Sequence, residues 1–122
     1  MPEDLMRDLG SFGLFFEDLA VRDLRVYAGT LGGEVRHYRD NVGLECDAVV
    51  HLEDGRWGAI EIKLGGDELI EAGATSLKTL KSKIEEKSDE NSPSFLLVLT
   101  AVGGAYKREG GVYVAPINLL KP

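Results

Sequence analysis

The order of apolar runs along the chain predicts an α/β domain built on a mixed β-sheet with helices packed against it, in the order αβββαβ with a strand-rich C-terminal tail. Three observations lead there. Two long segments, 12–29 and 68–87, carry apolar residues at helical spacing. Between them, two strand-like runs flank Asp54–Gly55, a strong short-turn signal. After the second helix, Phe95 to Thr100 is a continuous apolar run, the pattern of a strand buried on both faces. Three sequential strands and then a crossover helix require a sheet with both antiparallel and parallel neighbours.

The elements follow in order. Residues 1–11 read as a loose lead-in. The first helix, 12–29, places Leu14, Phe16, Ala20, Val21, Leu24 and Ala28 on one broad apolar arc, and Gly29 with the Gly32–Gly33 pair ends it. Residues 34–40 form a polar strand, with Val35 and Tyr38 at β-prone positions. Strands follow over 44–52 and 57–64. Gly65–Gly66 ends the second of these, and Asp67 caps the long helix that begins at residue 68 and turns Ile70, Leu77, Leu80 and Ile84 to one side. Residues 88–94 form a polar loop. Tyr106–Arg108 and Val112–Ala115 make a terminal hairpin around Glu109–Gly110–Gly111. Trp57 and Tyr38 are expected in the core.

With 122 residues and no internal repeat, the chain fits one domain over 1–122, long enough to bury a core without disulfides. The longest apolar runs fall far short of the ~20 residues needed to cross a bilayer. Met1 to Gly10 holds three acids, one base and no apolar stretch, unlike a secretory leader. A cytoplasmic location is the expectation. The lone Cys46 has no partner for a disulfide and no zinc spacing, so it reads as a small buried residue. His37 and His51 form no metal motif and read as structural or solvated. The net charge of −7 excludes a basic nucleic-acid coat protein but leaves room for an enzyme with a local basic strip, or for a module attached to a more basic protein.

The chemistry concentrates on the central hairpin. Strand alternation puts Glu45, Asp47, Val49 and His51 on one face and Cys46, Ala48 and Val50 on the other. In the next strand Ala59, Glu61 and Lys63 share a face, and Ile60, Ile62 and Leu64 form an apolar one. Asp47 lies seven residues before Asp54 and Glu61 six after Gly55, so the hairpin brings them near each other. Two carboxylates held together need a cation between them or a proton on one. Oxygen donors suit Mg²⁺ or Mn²⁺ rather than zinc. Lys63 would hold a water or stabilise charge on a phosphate. The competing reading is the solvated polar face of an amphipathic hairpin. Glu17 adds weight to the first, because it falls in the middle of the apolar arc of the first helix, where an ionised carboxylate needs a partner. Arg39, a metal, or a proton held near the metal site would each supply one.

These residues resemble the PD-(D/E)XK nuclease superfamily: Phe16–Glu17 on a helix, then Asp47, then Glu61–Ile62–Lys63 after a hairpin. The stretches Phe12-Gly-Leu-Phe-Phe-Glu17, His37-Tyr-Arg-Asp40, Glu45-Cys-Asp47, Ala59-Ile-Glu-Ile-Lys-Leu-Gly65 and Gly111-Val-Tyr-Val-Ala-Pro116 are similar to one prokaryotic domain family of unknown function, usually found C-terminal to an AAA-type ATPase domain. The resemblance runs from about residue 12 to about residue 118. It implies a restriction-endonuclease-like fold in which Asp47 and Glu61 bind the metal, Ile62 adds its carbonyl, Glu17 supports the ion directly or through water, and Lys63 orients the attacking water. Arg36, Arg39, Lys78 and Lys81 are the candidates for backbone-phosphate contacts. No Gly-x-x-x-x-Gly-Lys-Ser/Thr loop occurs in the chain, so the ATPase part is missing. Two functions follow as expectations: a metal-dependent nuclease acting on DNA or RNA, or a non-catalytic module serving an AAA-type ATPase domain or subunit or joining copies of itself.

Overall fold

The computed structural model describes residues 2–39, 45–87 and 91–120, with side chains from residue 13 onward. Helix α1 (Pro2–Thr30) is followed by β1 (Glu34–Arg39), β2 (Glu45–His51) and β3 (Trp57–Lys63), then α2 (Asp67–Lys87), β4 (Phe95–Thr100), β5 (Tyr106–Lys107), β6 (Val112–Pro116) and a 3-10 turn over Ile117–Leu120. Residue 40 at the end of the first expected strand, residue 44 at the start of the second, and residues 88–90 of the polar loop lie outside the described residues.

The six strands form one mixed sheet in the order β1-β2-β3-β4-β6-β5. The β1–β2 and β2–β3 pairs are antiparallel, whereas β3–β4 and β4–β6 are parallel. Thus α2 is the crossover between β3 and β4. The terminal hairpin closes the sheet by inserting β6 beside β4 and leaving the two-residue β5 on the edge.

Helix α1 starts at Pro2, well before the expected residue 12. Gly10 and Gly13 weaken the helical signal in the segment read as a lead-in. Pro2 at the first helical position, with Glu3 and Asp4 after it, is nonetheless a good helix start. At the other end Gly33 N–H donates to Ala28 O (2.8 Å) and Gly32 N–H to Gly29 O (3.1 Å), with Gly32 at φ 74°. This is a Schellman termination, and it needs glycine at the left-handed position. The β2–β3 turn closes through Leu52 N–H to Arg56 O (2.9 Å) and Arg56 N–H to Asp54 Oδ1 (3.0 Å), around Gly55 at φ 91°.

Each face of the sheet has its own core. Ile70, Ala74, Leu77 and Leu80 of α2 meet Cys46, Val49, Trp57, Ala59, Leu96, Val98, Val112 and Val114. On the other face Phe16, Ala20, Leu24 and Ala28 of α1 meet Ala48, Val50, Ile60, Ile62 and Leu99. Trp57 is buried and donates Nε1–H to Asn91 O (3.0 Å), and Tyr38 packs half-buried against the α2-side core. Leu14, expected on the buried arc of α1, is exposed: it lies at the margin of that arc. No helix among the described residues is long and apolar enough to cross a membrane.

Candidate functional site

The two core memberships reveal an irregularity that the hairpin sequence does not show. Cys46 joins Val49 on the α2 side and Ala48 joins Val50 on the α1 side, although strict alternation puts Cys46 with Ala48 and Asp47 with Val49. The β1–β2 register shifts between Arg36 and Tyr38. Arg36 faces Val49 and Tyr38 faces Cys46, so His37 alone stands opposite both Asp47 and Ala48. That is a β-bulge, and bulges re-aim side chains next to sites. The regular β2–β3 ladder stops at Ala48–Ile60, one step before Asp47.

The bulge turns Asp47 out of the Val49 face to the end of the ladder. There its Oδ2 accepts the Ile62 N–H at 2.8 Å, and its own N–H donates to Glu61 Oε2 at 3.3 Å. In a strand the N–H and C=O of one residue project to the same edge, so the Ile62 carbonyl also faces the Asp47 side. Cys46 fastens the bulge from beneath. Its Sγ–H is shared between Ala48 O and Ile60 O, each 3.3 Å away. It is buried, as expected of it, and burial pushes its thiol up to about 12.

Glu61 is a buried carboxylate, 7% exposed. Burial raises its pKa, a hydrogen bond with the Asp47 carboxyl raises it further, and the Asp47 charge adds to both, to about 8 in all; the Asp47 N–H and the Lys63 charge pull the other way. The Asp47 carboxyl is within hydrogen-bonding reach of Glu61, which keeps its proton at neutral pH. Lys63, the last residue of β3, packs its stem on α2 at Gly73: a Cβ there would stand 3.4 Å from Lys63 Cγ and 3.2 Å from Val98 Cγ2. Its ammonium lies close enough to lower the pKa values of both Glu61 and Glu17. The next strand offers Thr100 in register with Lys63, fully buried, with its hydroxyl donating to Val102 O at 2.9 Å.

Glu17 sits half-buried on α1. Partial burial raises its pKa, the charges of Asp47 and Asp18 raise it further, and His37 and Lys63 oppose them. Glu17 and Asp47 line a cleft of about 400 Å³ between α1 and β1, together with Asp18, Val21, Arg25, Val35, Arg36 and His37.

Asp47, Glu61, the Ile62 backbone and Lys63 therefore come together, with Glu17 beside them in the cleft. Among the described residues, however, no three His, Cys, Asp or Glu side chains converge as a metal-holding group. The donor set present is two carboxylates and a strand carbonyl. These are hard oxygen ligands that fit a Mg²⁺ or Mn²⁺ ion keeping several waters better than a fully protein-ligated one.

The basic candidates divide. Arg36 lines the cleft while pairing with Glu34 at 2.7 Å. Arg39, one of the partners considered for Glu17, pairs with Glu45 at 3.5 Å instead. Lys78 lies over Gly110 in the β5–β6 turn, at the opposite end of the sheet from Lys63. Lys81 is one turn further along α2 in the same direction. The structure does not bring these two lysines to the carboxylates, because α2 runs back along the sheet away from the C-terminal end of β3. Conversely, Arg25, not singled out in the sequence, and His37, read there as structural or solvated, reach the cleft. The signal for His37 is its place opposite a bulge, which only the β1–β2 register exposes.

No curated protein and no solved structure matches the chain. Residues 12–120 match the family described as "Domain of unknown function (DUF4143)". That match covers nearly the whole chain, and the chain belongs to that family.

Proposed function

We propose that this domain is a metal-dependent phosphodiesterase of the PD-(D/E)XK type that acts on nucleic acid. The observation that carries the reading is the bulged Asp47, held by the Ile62 N–H at 2.8 Å against the buried Glu61 carboxyl, with Lys63 two residues on. A fold gains nothing in stability from two close carboxyls, one of them buried, so the pair suits a cation. When bound, a divalent cation there supplies Lewis acidity and a more acidic water.

The chain's own residues do the rest. Asp47 and Glu61 present oxygens, and the Ile62 carbonyl faces the same gap. Glu61, protonated at neutral pH in the free chain, would have to give up its proton to serve as a ligand. Lys63 donates hydrogen bonds to the attacking water and to the phosphate. Arg36 and His37, at the rim of the cleft, face the incoming backbone phosphate. Glu17 holds a water between the cleft and Asp47. In the reaction a water molecule adds its oxygen to phosphorus and gives up one proton, the bond from phosphorus to one sugar oxygen breaks, and that oxygen takes up a proton to leave as a hydroxyl.

The test is cleavage of single- and double-stranded DNA and RNA with Mn²⁺, comparing wild type with Asp47→Ala and Lys63→Ala. The expected result is metal-dependent cutting that each substitution lowers by about 10²–10³-fold, as for loss of one transition-state-stabilising group. Cutting that survives both substitutions would overturn the assignment.

A second reading, a non-catalytic module serving an AAA-type ATPase, draws on the absence of a third converging ligand among the described residues and on the net charge of −7. In that case no cutting occurs, and the carboxyl pair remains a weak cation site.

A further inference from the structure

Helix α1 has a second apolar face. The first, Phe16–Ala20–Leu24–Ala28, is spent on the sheet. On the outward side Phe15 and Val26 are 66% and 65% exposed, and Leu19 lies half-buried between them. Arg22 completes the row, its side chain 73% exposed. Phe15, Leu19, Arg22 and Val26 are spaced by four, three and four residues, the spacing of a coiled-coil seam. The buried row of α1 packs on β2, β3 and β4, and the helix also contacts β1 and the 3-10 turn.

The charges beside this seam fit a second copy of the same helix running antiparallel. About a two-fold axis between Leu19 and Arg22, Phe15 of one chain meets Val26 of the other, and Leu19 meets Arg22. The flanking positions on one side are then Asp18 and Arg25. Each Asp18 comes opposite the partner's Arg25, twice over by symmetry, as an isologous interface requires. Arg22 has Asp23 at 4.0 Å on its own chain and Asp18 one turn back, so its charge is matched inside the seam.

We propose that α1 joins two copies of this chain in an antiparallel helix pair, through Phe15, Leu19 and Val26 with Asp18–Arg25 pairs across the two-fold axis. Asp18 and Arg25 also line the α1–β1 cleft. Both flanking rows lie on the same side of an antiparallel pair, so the dimer presents its two clefts on one face. The proposal is independent of the nuclease reading, since it uses none of Asp47, Glu61 or Lys63.

The experiment is mass measurement by light scattering and sedimentation, from about 1 to 100 μM, a range that brackets micromolar dissociation constants. Wild type is expected at twice the 13.3 kDa of one chain. Asp18→Arg and Arg25→Asp each place like charges opposite one another, and each is expected to weaken the dimer about tenfold or more. Mixed together, the two variants are complementary at both contacts and should form a dimer at wild-type strength. Leu19→Lys, on an independent seam position, should be monomeric with an unchanged far-UV circular dichroism spectrum. A wild-type chain that stays monomeric to 100 μM overturns the proposal. So does a dimer indifferent to both reversals, or reversed variants that fail to pair when mixed.

Discussion

Asp47 and Glu61 carry the site's charge unevenly, and the imbalance has a measurable pH signature. Without metal, Glu61 keeps its proton to about pH 8 in the folded chain, against 4.5 for an ordinary glutamate. The folded state therefore binds a proton that the unfolded state has already released between those values. Its contribution to stability is fully present below about pH 4.5, and it is lost as pH rises through about 8. Glu61→Gln keeps the hydrogen bonding without the charge. In thermal melts of metal-free protein, its advantage over wild type should be small at pH 5 and grow up to pH 9. An advantage that stays flat across that range would mean that Glu61 is neither buried nor pressed by Asp47 in the folded chain.

Cys46 belongs to the same scale. With its thiol pushed up to about 12 and its Sγ–H engaged by two carbonyls, it holds essentially no thiolate at neutral pH. A disulfide-exchange reagent should label it only as the protein unfolds. Fast labelling of the folded chain would contradict the buried, bulge-fastening role. Its identity as a small buried residue was legible in the sequence, but its acceptors were not, because they come from the bulge and from the neighbouring strand.

At the scale of elements, the sequence carries both helices and all the strands, each marked by its own apolar period or by a turn signal such as Asp54–Gly55, with bounds within a few residues except for the start of α1, which lies at Pro2 rather than residue 12. The failures come where one element depends on another. Counting along the hairpin brings Asp47 near Glu61, and it does so correctly, since the register that pairs Ala48 with Ile60 puts Asp47 beside Glu61. It assigns Asp47 to the wrong face, because the bulge is imposed by β1, which offers only His37 against two residues. Lys78 and Lys81 fit a basic strip in sequence, yet the direction of α2 across the sheet carries them away from it.

Gly58 shows the same dependence between elements. A Cβ there would stand 2.1 Å from the Phe95 ring of β4, so that ring lies against β3 only because position 58 has no side chain. Gly58→Ala should cost about 1–3 kcal/mol, the range for overpacking a core, read as a lower urea midpoint. Phe95→Leu in the same chain should recover part of that loss. If Gly58→Ala alone is neutral, the packing described between these strands is wrong.

On the scale of the whole molecule, the sheet acts as a frame that delivers residues from three separate elements to one end. Asp47 comes from the bulge of β2, Glu61 and Lys63 from the end of β3, and Glu17 from α1. Two hydrophobic cores hold the two helices on opposite faces, and the cleft opens where α1 passes over β1. A cation bound to the folded chain alone stabilises it through mass action, by about 2.7 kcal/mol at a hundred times its dissociation constant. Millimolar Mn²⁺ or Mg²⁺ should therefore raise the melting temperature of wild type and leave that of Asp47→Ala unmoved. Equal shifts in both would place the ion elsewhere on this acidic chain.

The most direct test of the central claim is cleavage itself, with purified chain, Mn²⁺ and both strandednesses of DNA and RNA, for wild type, Asp47→Ala and Lys63→Ala side by side. The account predicts metal-dependent cutting by wild type that falls steeply in each variant, while all three melt cooperatively. Folded wild type that leaves every substrate intact, or cuts no faster than the two variants, would contradict it.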